Sequence, residues 1–237
     1  MNKKRIEEIF NKHFKELGKY FDKKVIQNKE KLFDDFYHVP LSTKDLISGT
    51  IFNTCNIRYG DFLEEIINEF LKENGAIISL EDKQKGNYDL LFKIDDILYV
   101  GEIKIRDNHD STKKKGQISN LTEKASLQKE KNPNLKVIAI FFFIDPNEKK
   151  NGKFYLEELN SCIDKHLFDD AKVFYGDEIF DELRLTNEWN KLKNDIIDLN
   201  INLKNKNYIF KIINDYLKEK YDEKKYNEII REIKLFN

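Results

Sequence analysis

The spacing of apolar residues changes after Asn74–Gly75, and this change most constrains the fold of the chain. From Arg58 to Asn74 the apolar residues recur at helical spacing, and the Asn-Gly pair is a typical helix stop. Short apolar or alternating runs follow, separated by polar turn residues, at 76–80, 88–94 and 97–104. The sequence therefore predicts one helix followed by an antiparallel meander of three strands.

A second helix and a further strand are predicted after the meander. Residues 113–131 have a helical pattern that ends at Asn132-Pro133. Residues 136–144 are apolar on both faces, which is typical of a central strand covered on both sides, and we expect it to return parallel to an earlier strand. The predicted fold class is α/β (α+β), with an αβββαβ core in which helices flank a mixed sheet.

Helical segments are predicted on both sides of this core. An amphipathic helix is expected over 4–21, where apolar residues share one face, and a short helix is expected to start near Ser42 to Asp45. After the core we expect a helix near 156–166, a strand near 171–175 and several helices from Asp177 onward.

The length of 237 residues favours a single domain over two independent ones. In this domain the helical N-terminal extension covers 1–57, the core covers 58–145, and a mixed, mostly helical part covers 146–237.

Composition limits the classes of function. Lys and Arg (42) nearly cancel Asp and Glu (43), so any contact with nucleic acid must use a local basic patch. Cys55 and Cys162 lie far apart without a zinc-binding spacing, which suits a reducing compartment. The N-terminus lacks an apolar leader and no run is long enough to span a membrane, so we predict a cytoplasmic location.

Three residues of the meander form the strongest chemical signal in the sequence. Asp89 lies near the start of one predicted strand, and Glu102 lies near the end of the next, so a hairpin brings both to the same sheet edge. Lys104 is two residues from Glu102 and shares its face. Two carboxylates can hold Mg²⁺ through oxygen ligands, and a neighbouring lysine can orient the attacking water. These are the requirements of phosphodiester hydrolysis.

The Glu-x-Lys spacing alone carries little information, since it also occurs in turns and amphipathic helices of this chain. Only Glu102 and Lys104 end an apolar strand, follow an aspartate one hairpin upstream, and precede a polar loop and a helix. The alternative is a cross-strand ion pair on a solvated face of the sheet.

The segments Asn87-Tyr88-Asp89 and Gly101-Glu102-Ile103-Lys104, in the order αβββαβ, resemble the PD-(D/E)XK nuclease superfamily over residues 58–145. Tyr88 stands where that family usually has proline. The segment 105–117 resembles the region after the motif in several type II restriction endonucleases. Residues 52–54 and 60–64 resemble the TdeIII-like group.

This resemblance implies a homodimeric type II restriction endonuclease that cuts a short palindrome in double-stranded DNA, while a cognate DNA methyltransferase protects the host's own DNA. It also implies that Asp89, Glu102 and the Ile103 carbonyl hold Mg²⁺. Many members add a glutamate from the first core helix. Here Glu64 lies at the edge of the apolar face and Glu65 nearly opposite it, so Glu64 is the preferred candidate. The dimer interface is expected in the N-terminal helix or in the C-terminal helices.

A locally basic segment follows the predicted catalytic strand. Positive side chains there could neutralise DNA phosphates, and polar ones could hydrogen-bond to phosphates or base edges. The candidates are Arg106, Asn108, Ser111, Thr112, Lys113, Lys114, Lys115 and Gln117. The alternative is a solvated helix start.

Two other functions remain open at this point. One is a structure-specific repair or resolvase nuclease on the same core, and the other is a non-catalytic DNA-binding module. The combination of Asp89, Glu102 and Lys104 argues against the DNA-binding module, because a module that binds no metal has no need to bring two carboxylates together.

Overall fold

The computed structural model describes residues 1–28, 43–78, 87–107, 111–147 and 149–233. They fall into two compact units, Glu64–Leu192 with Met1, and Asn2–Leu63 with Lys193–Asn237. No helix in these described ranges is both long and apolar enough to cross a membrane. The expectation of one endonuclease domain over 1–237 stays a prediction.

The helices of the described residues are α1 (Lys3–Phe14), α2 (Leu17–Phe21), α3 (Thr43–Glu73), α4 (Ser111–Lys131), α5 (Gly152–Ile163), α6 (Glu178–Glu182), α7 (Thr186–Asn205), α8 (Tyr208–Lys220) and α9 (Glu223–Ile233). A π-helical turn over Asp22–Ile26 follows α2. The strands are β1 (Leu90–Ile94), β2 (Ile97–Lys104), β3 (Lys136–Phe143) and β4 (Asp170–Tyr175). The predicted mixed α/β fold class is confirmed.

The four strands form one sheet in the order β1-β2-β3-β4. β1 and β2 pair antiparallel around a turn at Asp95-Asp96, while β2, β3 and β4 run parallel. The predicted first strand at 76–80 is represented by one antiparallel bridge, Ile77 to Lys93, and residues 79 and 80 lie outside the described ranges. The antiparallel hairpin and the parallel return of the central strand are therefore both present, and the described part of the predicted first strand contributes one bridge.

Helices cover both faces of the sheet, which explains why β3 is apolar throughout. Phe141 and Phe143 point to one side, where they pack with α4 and α5 residues such as Leu121 and Tyr155. Phe142 points to the other side and meets Phe180 of α6 at a ring distance of 5.8 Å. Burying large aromatic side chains on both faces stabilises the sheet by about 1.5–3 kcal/mol per residue.

The first core helix differs from its prediction. Instead of a short helix near residue 42 and a separate one from Arg58, α3 is continuous over Thr43–Glu73. Its predicted end is confirmed, because Gly75 has φ +95° and the Ala76 amide donates to the Leu71 carbonyl, a typical glycine cap.

The unit formed by Asn2–Leu63 and Lys193–Asn237 is helical in the described residues. Phe10 and Phe14 of α1 stack with their ring centroids 4.2 Å apart, and Phe62 of α3 meets Phe10 at 5.5 Å. The predicted amphipathic helix over 4–21 is present as α1 and α2, separated by a turn at 15–16. Gly18 of α2 lies so close to Tyr216 of α8 that any side chain there would overlap the tyrosine.

Candidate active site

The β1–β2 hairpin brings Asp89 and Glu102 together. Leu90 pairs with Gly101, so the residue before β1, Asp89, lies opposite Glu102. The Ile103 amide donates to Asp89 Oδ2 at 3.0 Å, which ties the aspartate to β2. A side chain at Gly101 would lie 3.1 Å from the Leu90 Cβ and would also crowd Ile140, so glycine permits the close approach of the strands.

Three oxygen atoms converge on the ammonium group of Lys104. The distances from Nζ are 2.8 Å to Glu102 Oε1, 2.9 Å to the Ile103 carbonyl and 3.4 Å to Asp89 Oδ2. These are the three groups that the sequence resemblance implies as metal ligands. In this structure one positive charge lies where all three can contact it.

The site is partly shielded from water. The Glu102 side chain is only 10% exposed, and those of Asp89 and Lys104 are 22% and 26% exposed. Burial raises the pKa of Asp89, and the nearby charge of Glu102 raises it further, against the opposing effect of Lys104. Burial would lower the pKa of Lys104, but the charges of Asp89 and Glu102 outweigh it and raise that pKa. Lys104 is therefore a charged hydrogen-bond donor at neutral pH.

The donor set fits a hard divalent cation, because all three converging atoms are oxygens and two carry negative charge. Within the described ranges no three His, Cys, Asp or Glu side chains form a group that could hold a metal ion. The candidate set therefore consists of two carboxylates and one backbone carbonyl. Glu64 does not complete a three-carboxylate cluster, and its role as a ligand stays a prediction.

The α3 face that carries Glu64 does lie beside Asp89. Asn68, one turn after Glu64, donates through Nδ2 to the Asp89 carbonyl at 3.0 Å and to the Glu64 carbonyl at 2.8 Å. Its buried Oδ1 finds no hydrogen-bond partner in the described part of the chain. Glu64 and Glu65 are both half-buried, so burial does not separate them, whereas the position of Asn68 favours Glu64.

Sequence reasoning missed Lys124, a buried residue of α4 that also contacts Glu102. A signal for it was present in the sequence. Ile118, Leu121 and Ala125 mark the apolar face of this helix, and Lys124 falls on the same face, where a charged residue is unexpected.

The predicted DNA-binding residues are not equivalent in the structure. Thr112, Lys113 and Lys115 are exposed on the first turns of α4. The Arg106 side chain is 59% exposed, with Nε 3.4 Å from an Asp145 carboxylate oxygen. Asn108 lies outside the described residues, as does the side chain of Ser111.

Lys114 and Gln117 are half-buried and have intramolecular partners. Lys114 Nζ donates to Asn151 Oδ1 at 2.8 Å, and Gln117 Oε1 accepts from the Tyr155 hydroxyl at 3.3 Å. Both side chains therefore help to hold α4 against α5, which was not predicted.

A buried carboxylate, Asp107, fixes the start of this basic segment. Its two oxygens accept from the backbone amide and the side-chain amide of Asn151, both at 2.6 Å, and from the Tyr175 hydroxyl at 2.9 Å. Burial and the hydrogen bond to Asp107 raise the pKa of Tyr175, so its hydroxyl stays a donor. Asp107 links the end of β2 to the start of α5 and the end of β4.

We expect Asp107→Ala to lower the free energy of unfolding by about 2–4 kcal/mol, because it leaves buried donors of Asn151 and Tyr175 without their acceptor. Chemical denaturation measures this difference. The exposed Asp164 gives a matched control, and its replacement by alanine should change stability by less than about 0.5 kcal/mol. Equal effects of the two changes would contradict the structural role of Asp107.

The fold is that of an α/β protein in which helices flank a mixed sheet, and one strand edge of the sheet carries two carboxylates and a lysine. The family model for HinfI, a type II restriction endonuclease, matches residues 77–200, which is more than half of the chain. The chain belongs to the HinfI family of type II restriction endonucleases. No curated protein and no solved structure matches it.

Proposed function

We propose that the protein is a magnesium-dependent endonuclease that hydrolyses phosphodiester bonds at a specific sequence in double-stranded DNA, with a PD-(D/E)XK active site. One observation carries the proposal: Asp89, Glu102 and the Ile103 carbonyl converge on one cation, the Lys104 ammonium. The family match supports the restriction function. The likeness to the TdeIII group stays a prediction.

Asp89, Glu102 and the Ile103 carbonyl would hold Mg²⁺, which supplies charge stabilisation to the phosphate when bound. Lys104 neutralises part of the carboxylate charge that would otherwise repel a phosphodiester. Its ammonium donates hydrogen bonds, so it can orient the attacking water or contact a phosphate oxygen. The low exposure of Glu102 strengthens these electrostatic effects, because less water screens them.

Incubation of a long DNA with the protein and Mg²⁺, followed by electrophoresis, tests the proposal. Discrete fragments are expected from a sequence-specific endonuclease. A smear would favour the structure-specific repair or resolvase function, and unchanged DNA would favour a non-catalytic DNA-binding module. Chelation of the metal should abolish the fragments.

The basic residues at the start of α4 are proposed to contact DNA phosphates. Replacing Lys113 and Lys115 together by alanine should weaken DNA binding and reduce the slope of log affinity against log salt by about 1–2, since each phosphate contact adds about one unit. Adding Lys114→Ala should change the slope less, because Lys114 is bound to Asn151. Binding titrations at several salt concentrations measure the slope, and an unchanged slope would assign the lysines to a solvated helix start.

We propose a homodimer as the active form, because two related sites are needed to cut both strands of a palindrome symmetrically. Light scattering should give twice the 28.4 kDa chain mass. A monomer both free and on DNA would contradict the proposal. The proposed cellular partner is a cognate DNA methyltransferase that modifies the same sequence.

A further inference from the structure

Lys124 of α4 lies under the candidate active site and contacts both segments that carry its carboxylates. Its Nζ donates to the Asn87 carbonyl at 2.7 Å and lies 3.3 Å from Glu102 Oε2. Asn87 leads into Asp89 through a single residue, Tyr88. One ammonium group therefore bridges the backbone before Asp89 and the side chain of Glu102.

The same face of α4 also contacts the side chain of Tyr88. Gln128, one turn after Lys124, donates to the Tyr88 hydroxyl at 3.1 Å, and Lys124 Nζ lies 5.7 Å from the centre of the Tyr88 ring. Tyr88, Lys124 and Gln128 are all buried. The segment that ends in Asp89 is thus fixed to α4 by three separate contacts.

Stability alone does not account for a lysine at this position. Burying an ammonium group costs free energy that an ion pair only partly returns, and an apolar side chain of similar size is often as stable or more so. Lys124 is 8% exposed on a face that also carries the buried apolar residues Ile118, Leu121 and Ala125. A charged residue in this place is better explained by what it does to Glu102.

The two lysines divide the oxygens of Glu102 between them. Lys104, which also contacts Asp89 and the Ile103 carbonyl, contacts Oε1, whereas Lys124 contacts Oε2. When a hydrogen bond holds one oxygen of a carboxylate, the direction of the other oxygen is fixed as well. Groups that hold a ligand in this manner typically change metal affinity or activity by about 10–100-fold when they are removed.

We propose that Lys124 is a positioning residue of the active site: its ammonium ties Glu102 to the backbone that leads into Asp89 and so fixes the separation of the two carboxylates. This inference rests on the proposed function, because the carboxylates need a fixed separation in order to hold a cation. Because Lys124 is buried, we expect it to act through Glu102 and not through a contact with DNA.

Lys124→Met tests the proposal, because it keeps an unbranched side chain only one atom shorter and removes its charge. Calorimetric titration of the DNA-free protein with Mn²⁺ should show an affinity reduced by about 10–100-fold. The kcat for DNA cleavage should fall by a similar factor with little change in KM. Lys124→Arg, which keeps the charge, should restore part of both losses.

Lys129→Met is the matched control. Lys129 lies on the same helix and also pairs with a carboxylate, that of Asp169 at 2.8 Å, but at the opposite end of the strands from the active site. It should bind Mn²⁺ and cleave DNA as the wild type does. If Lys124→Met does not fold, Lys124→Gln, which removes the charge and keeps a hydrogen-bond donor, is measured in the same way.

The outcomes separate the two proposals. If the wild type cleaves DNA and Lys124→Met binds Mn²⁺ with wild-type affinity, Lys124 is only a packing residue and the inference is overturned, even if the thermal midpoint falls. A wild type that neither binds Mn²⁺ nor cleaves DNA would overturn the proposed function, and the inference with it.

Discussion

Replacing Asp89 by asparagine or Glu102 by glutamine is expected to lower kcat for DNA cleavage by at least about a thousandfold, with the fold retained. A bound divalent cation contributes several kcal/mol of charge stabilisation, and about 4 kcal/mol corresponds to a factor of a thousand. Each change keeps the shape of the side chain and removes one ligand charge. Metal titration should show weaker binding in both variants, in parallel with the loss of cleavage.

The turn between β1 and β2 supplies a control for these variants. Asp96 belongs to the same hairpin, and its side chain is 96% exposed. Asp96→Asn should cleave DNA at the wild-type rate. Wild-type cleavage by Asp89→Asn or Glu102→Gln would remove the carboxylates from the mechanism.

Lys104→Ala is expected to lower kcat by at least about a hundredfold, the effect typical of losing a catalytic group, without weakening metal binding. The second expectation follows from the geometry, because the Lys104 ammonium contacts the same three oxygens that would bind the cation. Single-turnover cleavage and Mn²⁺ titration measure the two quantities separately.

Lys93 of β1 is the control for Lys104, since its ammonium lies 4.0 Å from the Asp96 carboxylate in the hairpin turn. Lys93→Ala should leave cleavage unchanged. If Lys104→Ala cleaves at the wild-type rate, or if specific fragments form in excess chelator, the assignment of this site is wrong. Glu102 and Lys104 would then be an ordinary ion pair.

The hairpin was predictable because its signals are local. One short segment contains the alternating apolar residues, the Asp95-Asp96 turn, and Glu102 two positions before Lys104. These local signals determine which side chains share an edge of the sheet. The central strand β3 was predictable for a similar reason, since an apolar run of this length needs cover on both faces.

The features that were missed depend on distant partners or on weak local preferences. The first part of α3 contains Gly49, Thr50, Asn53, Thr54 and Asn56, which are poor helix formers, so tertiary packing and not propensity sustains that segment.

Tertiary partners also explain the missed side chains. Lys124 meets Asn87, 37 positions earlier in the sequence, and Asp107 meets Tyr175, 68 positions later. Single-sequence patterns contain no information on such pairs. The same limit applies to Lys114 and Gln117, which were grouped with the exposed residues of α4 because their partners in and beside α5 could not be seen.

The tight turn of the β1–β2 hairpin also bears on how the active site assembles during folding. Asp89 and Glu102 are joined by a short loop, so bringing them together costs little chain entropy. A two-stranded hairpin is only marginally stable in water on its own, and the single positive charge of Lys104 offsets only part of the charge of its two carboxylates. Lys124 belongs to α4, the helix that connects β2 to β3, so its contact with Glu102 is absent from the isolated hairpin. Docking of α4 on the hairpin therefore supplies the contact that holds Glu102 to the backbone before Asp89.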